Sequence, residues 1–138
     1  MAYMNLLVAI SCSDADVKVM SQAAVLSQAL GAKLTAIHVN DPHAGKVHAM
    51  MDTIPRHEED DIRKHLDNLG FDALASSINI ISAEGQHYPE VIAKAAADYD
   101  MLIIGHRRKS KMMASLTDSS DERVADLAHN CVMLVPLD

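Results

Sequence analysis

Residues 5–40, NLLVAISCSDADVKVMSQAAVLSQALGAKLTAIHVN, hold a strand, a helix and a second strand, and this unit sets the reading of the whole chain. Leu6-Leu-Val-Ala-Ile10 is a continuous apolar run without polar alternation, the pattern of a strand covered on both faces in a parallel sheet. Ser13-Asp-Ala-Asp16 is a helix-start signal, followed by Val17, Met20, Ala24, Ser27 and Leu30 at helical spacing. Gly31 suits the left-handed position that closes a helix. Leu34-Thr-Ala-Ile-His-Val39 is the second strand, and Asn40-Asp-Pro-His43 breaks it.

The alternation continues. A helix is expected from about Pro55, with proline at its first position and Ile62, Leu66 and Leu69 as its stripe. It ends at Gly70 or runs on through Phe71 to Ser76. Ile78–Ser82 is a third strand, Glu84–His87 a turn, and Pro89 to Tyr99 a helix burying Val91, Ile92, Ala95 and Ala96. Met101–Ile104 is a fourth strand ending at Gly105; residues 106–118 are a basic loop. Ser119-Ser-Asp-Glu122 is a capping box for a helix that turns Val124 and Leu127 inward, and Cys131–Val135 is a fifth strand. Strands that alternate with helices imply an α/β fold: a single open, doubly wound, parallel five-stranded sheet with helices on both faces. Residues 1–138 read as one domain, without repeat or linker.

Composition narrows the function classes. The chain is 49% apolar and 22% charged, which suits a globular core. Its 19 acidic against 12 basic residues give net charge −7, the wrong sign for a general nucleic-acid binder, and 3% aromatics leave few platforms for stacking bases. No apolar run spans a membrane and the first residues do not read as a signal peptide, so a cytoplasmic location is expected. Two cysteines far apart, Cys12 and Cys131, with no C-x-x-C spacing, argue against both a disulfide scaffold and a structural zinc site.

Several side chains invite chemistry. His57, Asp61 and His65 fall at i, i+4 and i+8 on the expected helix, near His43, His48, Met50 and Met51. Two turns separate the outer pair by about 12 Å, too far to share one ion, so no metal site is assigned. Cys12 precedes a helix start, which lowers a thiol pKa, but no resolving cysteine is near; Cys131 is expected in the core, as are Met20, Met101 and Met133. Ser11, Ser13, Asp14 and His106 superficially suggest a hydrolase, yet no Gly-x-Ser-x-Gly elbow exists and nothing orients a base. A binding module, not an enzyme, is the expectation.

Leu6–Ile10 opening a strand, a Ser-x-Ser loop, a helix ending Leu30-Gly-Ala32, Leu34–Val39, Asp100-Met-Leu-Ile-Ile-Gly105 and the closing Asn130–Pro136 resemble the universal stress protein family over the full length. The resemblance implies strand order 3-2-1-4-5, a role in stress response, a cytoplasmic location and a homodimer through the last strand, Cys131 to Val135. That strand carries no charge to protect its edge. The implied order puts the ligand crevice at the carboxyl ends of the first and fourth strands, between Ser11–Asp14 and Gly105–Ser120, with His38 and Val39 as a third wall.

ATP-binding members of that family carry Gly-x2-Gly-x9-Gly-Ser/Thr after the fourth strand. Here Gly105 keeps the first glycine, Arg108 replaces the second, and Asp118 the third, ahead of Ser119. Ser11 stands where the family has an aspartate that contacts the nucleoside. Ser11-Cys-Ser13, twenty residues, then Leu34-Thr-Ala-Ile-His38 is similar to the cyclic di-AMP motif Ser-x-Ser…Phe-Thr-Ala-x-Tyr of universal-stress domains in Kdp-type potassium-sensor kinases, with leucine and histidine for the two aromatics. Arg107, Arg108, Lys109 and Lys111 put four cations near the expected crevice; they either hold phosphate or form a solvated loop.

The expected ligand-binding residues are therefore Ser11, Cys12 and Ser13; Thr35, Ala36 and Val39 as a wall for the base; Gly105; Arg107, Arg108 and Lys109 for phosphate; and Ser119 and Ser120 at a helix start. AMP or cyclic di-AMP is favoured over ATP, and no cofactor is required. The alternative is a nucleotide-free dimeric interaction protein acting through protein partners.

Overall fold

In a computed structural model, which describes residues 4–45, 55–107 and 120–138, the apolar runs form the expected strands. The elements are β1 (Asn5–Ala9), α1 (Asp16–Leu30), β2 (Lys33–Asn40), α2 (Glu59–Asn68), α3 (Asp72–Ala75), β3 (Asn79–Glu84), α4 (Tyr88–Ala96), β4 (Met101–His106), α5 (Ser120–Leu127) and β5 (Cys131–Pro136). The sheet is parallel, in the order β3-β2-β1-β4-β5. β1 lies at its centre, and Leu6, Leu7 and Val8 are fully buried because helices cover both faces.

Successive strand residues feed two cores. Leu6, Val8 and Ile103 pack with Val19, Met20 and Ala23 of α1, Ile62 and Leu66 of α2, and Ala75 of α3. Leu7, Ile37 and Leu102 pack with Ile92 and Ala96 of α4 and Val124 of α5. Burial of a leucine or isoleucine of this kind contributes about 1.5–3 kcal/mol. The Asp100 carboxylate accepts the N–H groups of Met4 and Asn5, both at 2.8 Å, and ties the start of β1 to the chain entering β4.

Helix ends follow local chemistry. Gly31 closes α1 at φ 62°, the left-handed region that a side chain resists. The helix expected from Pro55 begins four residues later, at Glu59. Glu58 and Asp61 form a reciprocal capping box there, and its two hydrogen bonds outweigh the fixed φ of a proline as a start signal. Gly70 separates α2 from the short α3, so the long continuation does not occur. Cys131 is exposed, against the expected core position, because β5 is an edge strand whose outer side has no neighbour within the sheet. Met20 and Met101 are buried and Met133 packs against the first core.

Candidate functional site

Strand order reverses at β1 between β2 and β4, and the carboxyl ends of β1 and β4 part there. They open a crevice of about 480 Å³, within the usual size for a small-molecule site. Ile10, Val39, Ile92 and Ile104 supply apolar walls, and Ser11, His38, Tyr88 and Arg107 supply polar ones. Two carboxylates, Asp16 and Asp121, also face it.

Both carboxylates are engaged by the protein. Asp16, 2% exposed, accepts the N–H of Ser11 at 2.9 Å, of Cys12 at 2.8 Å and of Ser13 at 3.2 Å. It also accepts the Ser11 hydroxyl at 3.0 Å and pairs with His65 Nε2 at 2.9 Å. The helix-start signal read in the sequence is thus half used: Asp16 reaches back to the Ser13 N–H, while the Ser13 Oγ lies 2.8 Å from the Ser11 Oγ. With the Ser11 proton committed to Asp16, Ser13 donates to Ser11. Both hydroxyl oxygens keep lone pairs and neither keeps a proton. Asp121, which lines the crevice, pairs with His106 Nδ1 at the end of β4.

Cys12 sits in this loop at φ 62°, a left-handed conformation costing about 1–2 kcal/mol in a residue with a side chain. The Asp16 bond to its N–H holds it there. Its thiol pKa is pushed up to about 12 by burial and by the carboxylates of Asp16 and Asp61, against the lowered value expected from a helix start. His38, half-buried at the end of β2, has its pKa lowered, chiefly by burial; Ile10, Asp16 and Asn40 oppose the shift and His57 adds to it.

Among the expected site residues, Ser11, Val39, Gly105 and Arg107 line the crevice. Cys12 and Ser13 share the loop with Ser11. Thr35 and Ala36 lie further down β2, 5% and 0% exposed, registered against Leu7 and Val8. Arg108, Lys109 and Ser119 fall outside the described residues, as does the side chain of Ser120, whose backbone opens α5. His57 precedes α2, so it does not share a helix face with Asp61 and His65; His65 instead buttresses Asp16.

Sequence reading missed a convergence: the donor atoms of Cys12, His38 and His57 lie within 4.8 Å of one another. The signal was present in the strand order. Parallel β1 and β2, with Ala9 beside Ile37, bring the loop after β1 to the end of β2.

The family model for the universal stress protein family matches residues 2–136, and the chain belongs to that family. It is similar to the universal stress protein A homolog of Haemophilus ducreyi, 27% identical over 98% of this chain and 97% of the relative. Its fold is similar to that of a universal stress protein solved in complex with cAMP, with TM-score 0.71, 20% identity and all of both chains covered. The universal stress protein of Archaeoglobus fulgidus solved in complex with dAMP gives TM-score 0.62 and 19% identity, over 98% of this chain and 99% of that one.

Proposed function

We propose that this universal stress protein is a cytoplasmic, non-enzymatic regulatory module of one domain that binds an adenine nucleotide in the crevice between β1 and β4. One observation carries the reading: a largely apolar crevice of about 480 Å³ at the sheet's switch point, with a cation, Arg107, among its lining residues. The neighbours in complex with cAMP and dAMP support an adenine ligand of this size. AMP or cyclic di-AMP is favoured over ATP. Of the family's three phosphate-loop glycines only Gly105 is kept, and Asp118 brings a negative charge to the sequence position of the third, which disfavours a triphosphate.

The loop's bonding divides the roles. Asp16 already occupies the N–H groups of Ser11, Cys12 and Ser13, so these are not free for phosphate. The two serine hydroxyls offer lone pairs, which suit ribose hydroxyls or the amino group of adenine. Ile10, Val39 and Ile104 offer apolar contact to the base. Arg107 takes the phosphate, with Arg108, Lys109, Ser119 and Ser120 as further anion donors.

Calorimetric titration with AMP and with adenosine separates these roles. Arg107→Ala is expected to weaken AMP about three- to fivefold, the worth of an exposed ion pair, and to leave adenosine unchanged. Equal loss for both ligands, or no binding of either by the wild type, would overturn the assignment.

The edge strand favours one further element. β5 ends the sheet, with Cys131 and Leu134 exposed and no charged residue from Cys131 to Pro136. Pairing with β5 of a second copy covers that edge, so we propose a homodimer through Cys131 to Val135.

A further inference from the structure

We propose that Cys12, His38 and His57 form a site for one thiophilic divalent cation of the zinc class, at the margin of the nucleotide crevice that His38 also lines, with no nucleotide among its ligands. The three residues come from three separate segments: the loop after β1, the end of β2 and the chain leading into α2. All three are half-buried, and their donor atoms already lie within 4.8 Å of one another. In a tetrahedral zinc site, metal–sulfur and metal–nitrogen bonds of about 2.3 and 2.0 Å put such atoms about 3.3–3.6 Å apart. The site therefore needs a contraction of at most about 1.5 Å, within reach of side-chain torsions.

The surroundings are those of a ligand set. His38 Nδ1 is 3.1 Å from the Ile10 carbonyl oxygen, which can only accept. Nδ1 therefore carries the ring proton and Nε2 the lone pair that binds a metal; a backbone carbonyl commonly orients a metal-bound histidine in this way. His57 is fixed through its backbone. Its N–H donates to Asn40 Oδ1 at 2.9 Å, and its carbonyl accepts Asn40 Nδ2 at 2.9 Å and Ser82 Oγ at 2.6 Å. This clamp holds the His57 ring edge-to-face against His38, centroids 5.1 Å apart. The strained backbone of Cys12 directs its thiol into the same group, and the carboxylates of Asp16 and Asp61 lend the site a negative potential that favours a cation.

One sulfur and two imidazoles select zinc, cobalt, nickel or copper over magnesium or calcium. Three protein donors leave a fourth position for water. The Cys12 proton passes to solvent as the sulfur–metal bond forms.

Cobalt(II) added to the chelator-treated full chain reads this out directly. The expected result is a thiolate-to-cobalt charge-transfer band that saturates at one equivalent and is displaced by zinc. The band is expected to vanish in Cys12→Ser and persist in Cys131→Ser, and affinity to fall at least about tenfold in His57→Gln. Absence of the band, or a band that follows Cys131, would overturn the proposal. Zinc-edge X-ray absorption on the wild type needs no variant: one sulfur and two imidazole nitrogens support the site, and a shell of oxygen alone contradicts it.

Discussion

Asp16 is the residue on which the crevice loop depends. Its carboxylate gathers three backbone N–H groups, the Ser11 hydroxyl and His65 within 2% exposure. Asp16→Asn keeps the volume but puts a donor where these groups need acceptors. It is expected to lower stability by about 2–3 kcal/mol in urea unfolding, while exposed Asp14→Asn stays within about 0.5 kcal/mol. The Cys12 thiol, raised to about 12, should resist alkylation near neutral pH in metal-free protein while exposed Cys131 reacts, as peptide mapping would show. Rapid labelling of Cys12 would mean that the loop opens. His38 titrates below its ordinary value of 6.5, so the folded state favours its neutral form. Its contribution to stability is full above the unfolded pKa and is lost as pH falls through the lower folded value. Urea midpoints at about pH 7.5 and about pH 5.5 should therefore differ less in His38→Gln than in the wild type.

At the scale of elements, the sheet's ends are set by close approaches that no periodicity reveals. A Cβ on Gly85, just beyond β3, would lie 2.5 Å from Val91 Cγ2, a stiff branched side chain on α4. A Cβ on Gly105, in β4, would meet Leu137 Cδ1 at 2.8 Å, the free end of a flexible side chain. Gly85→Ala is thus expected to cost about 1–3 kcal/mol and Gly105→Ala less, measured by thermal unfolding of both variants. The strands are legible in the sequence because each rests on a short apolar run bounded by turn or helix signals. Pro55 is the more conspicuous start signal in the sequence, yet the Glu58–Asp61 box sets the start of α2, and the exposure of Cys131 is not legible because a run's apolarity does not tell a central strand from an edge. The crevice was legible once the order was known; Ser11, Val39, Gly105 and Arg107 all line it. The meeting of Cys12, His38 and His57 is not legible in the sequence, because each lies on a different segment and their spacing matches no local metal pattern.

Among the described residues no helix is long and apolar enough to cross a membrane. The outer edge at β5 is open, with Leu134 39% exposed. Leu134→Glu is expected to convert the proposed dimer to a monomer in sedimentation while the far-ultraviolet circular dichroism stays the same; a wild type that sediments as a monomer would contradict the dimer.

Thermal unfolding in chelator with AMP, cyclic di-AMP or ATP at about 1 mM tests nucleotide binding in the crevice. A ligand at about 100 times its Kd adds about 2.7 kcal/mol, a shift of several degrees in a domain of this size. Such a shift is expected with AMP or cyclic di-AMP, larger than with ATP and reduced in Arg107→Ala. No shift with any of the three would contradict a nucleotide site, and a shift with ATP alone would contradict the reading of Asp118 and the lost glycines.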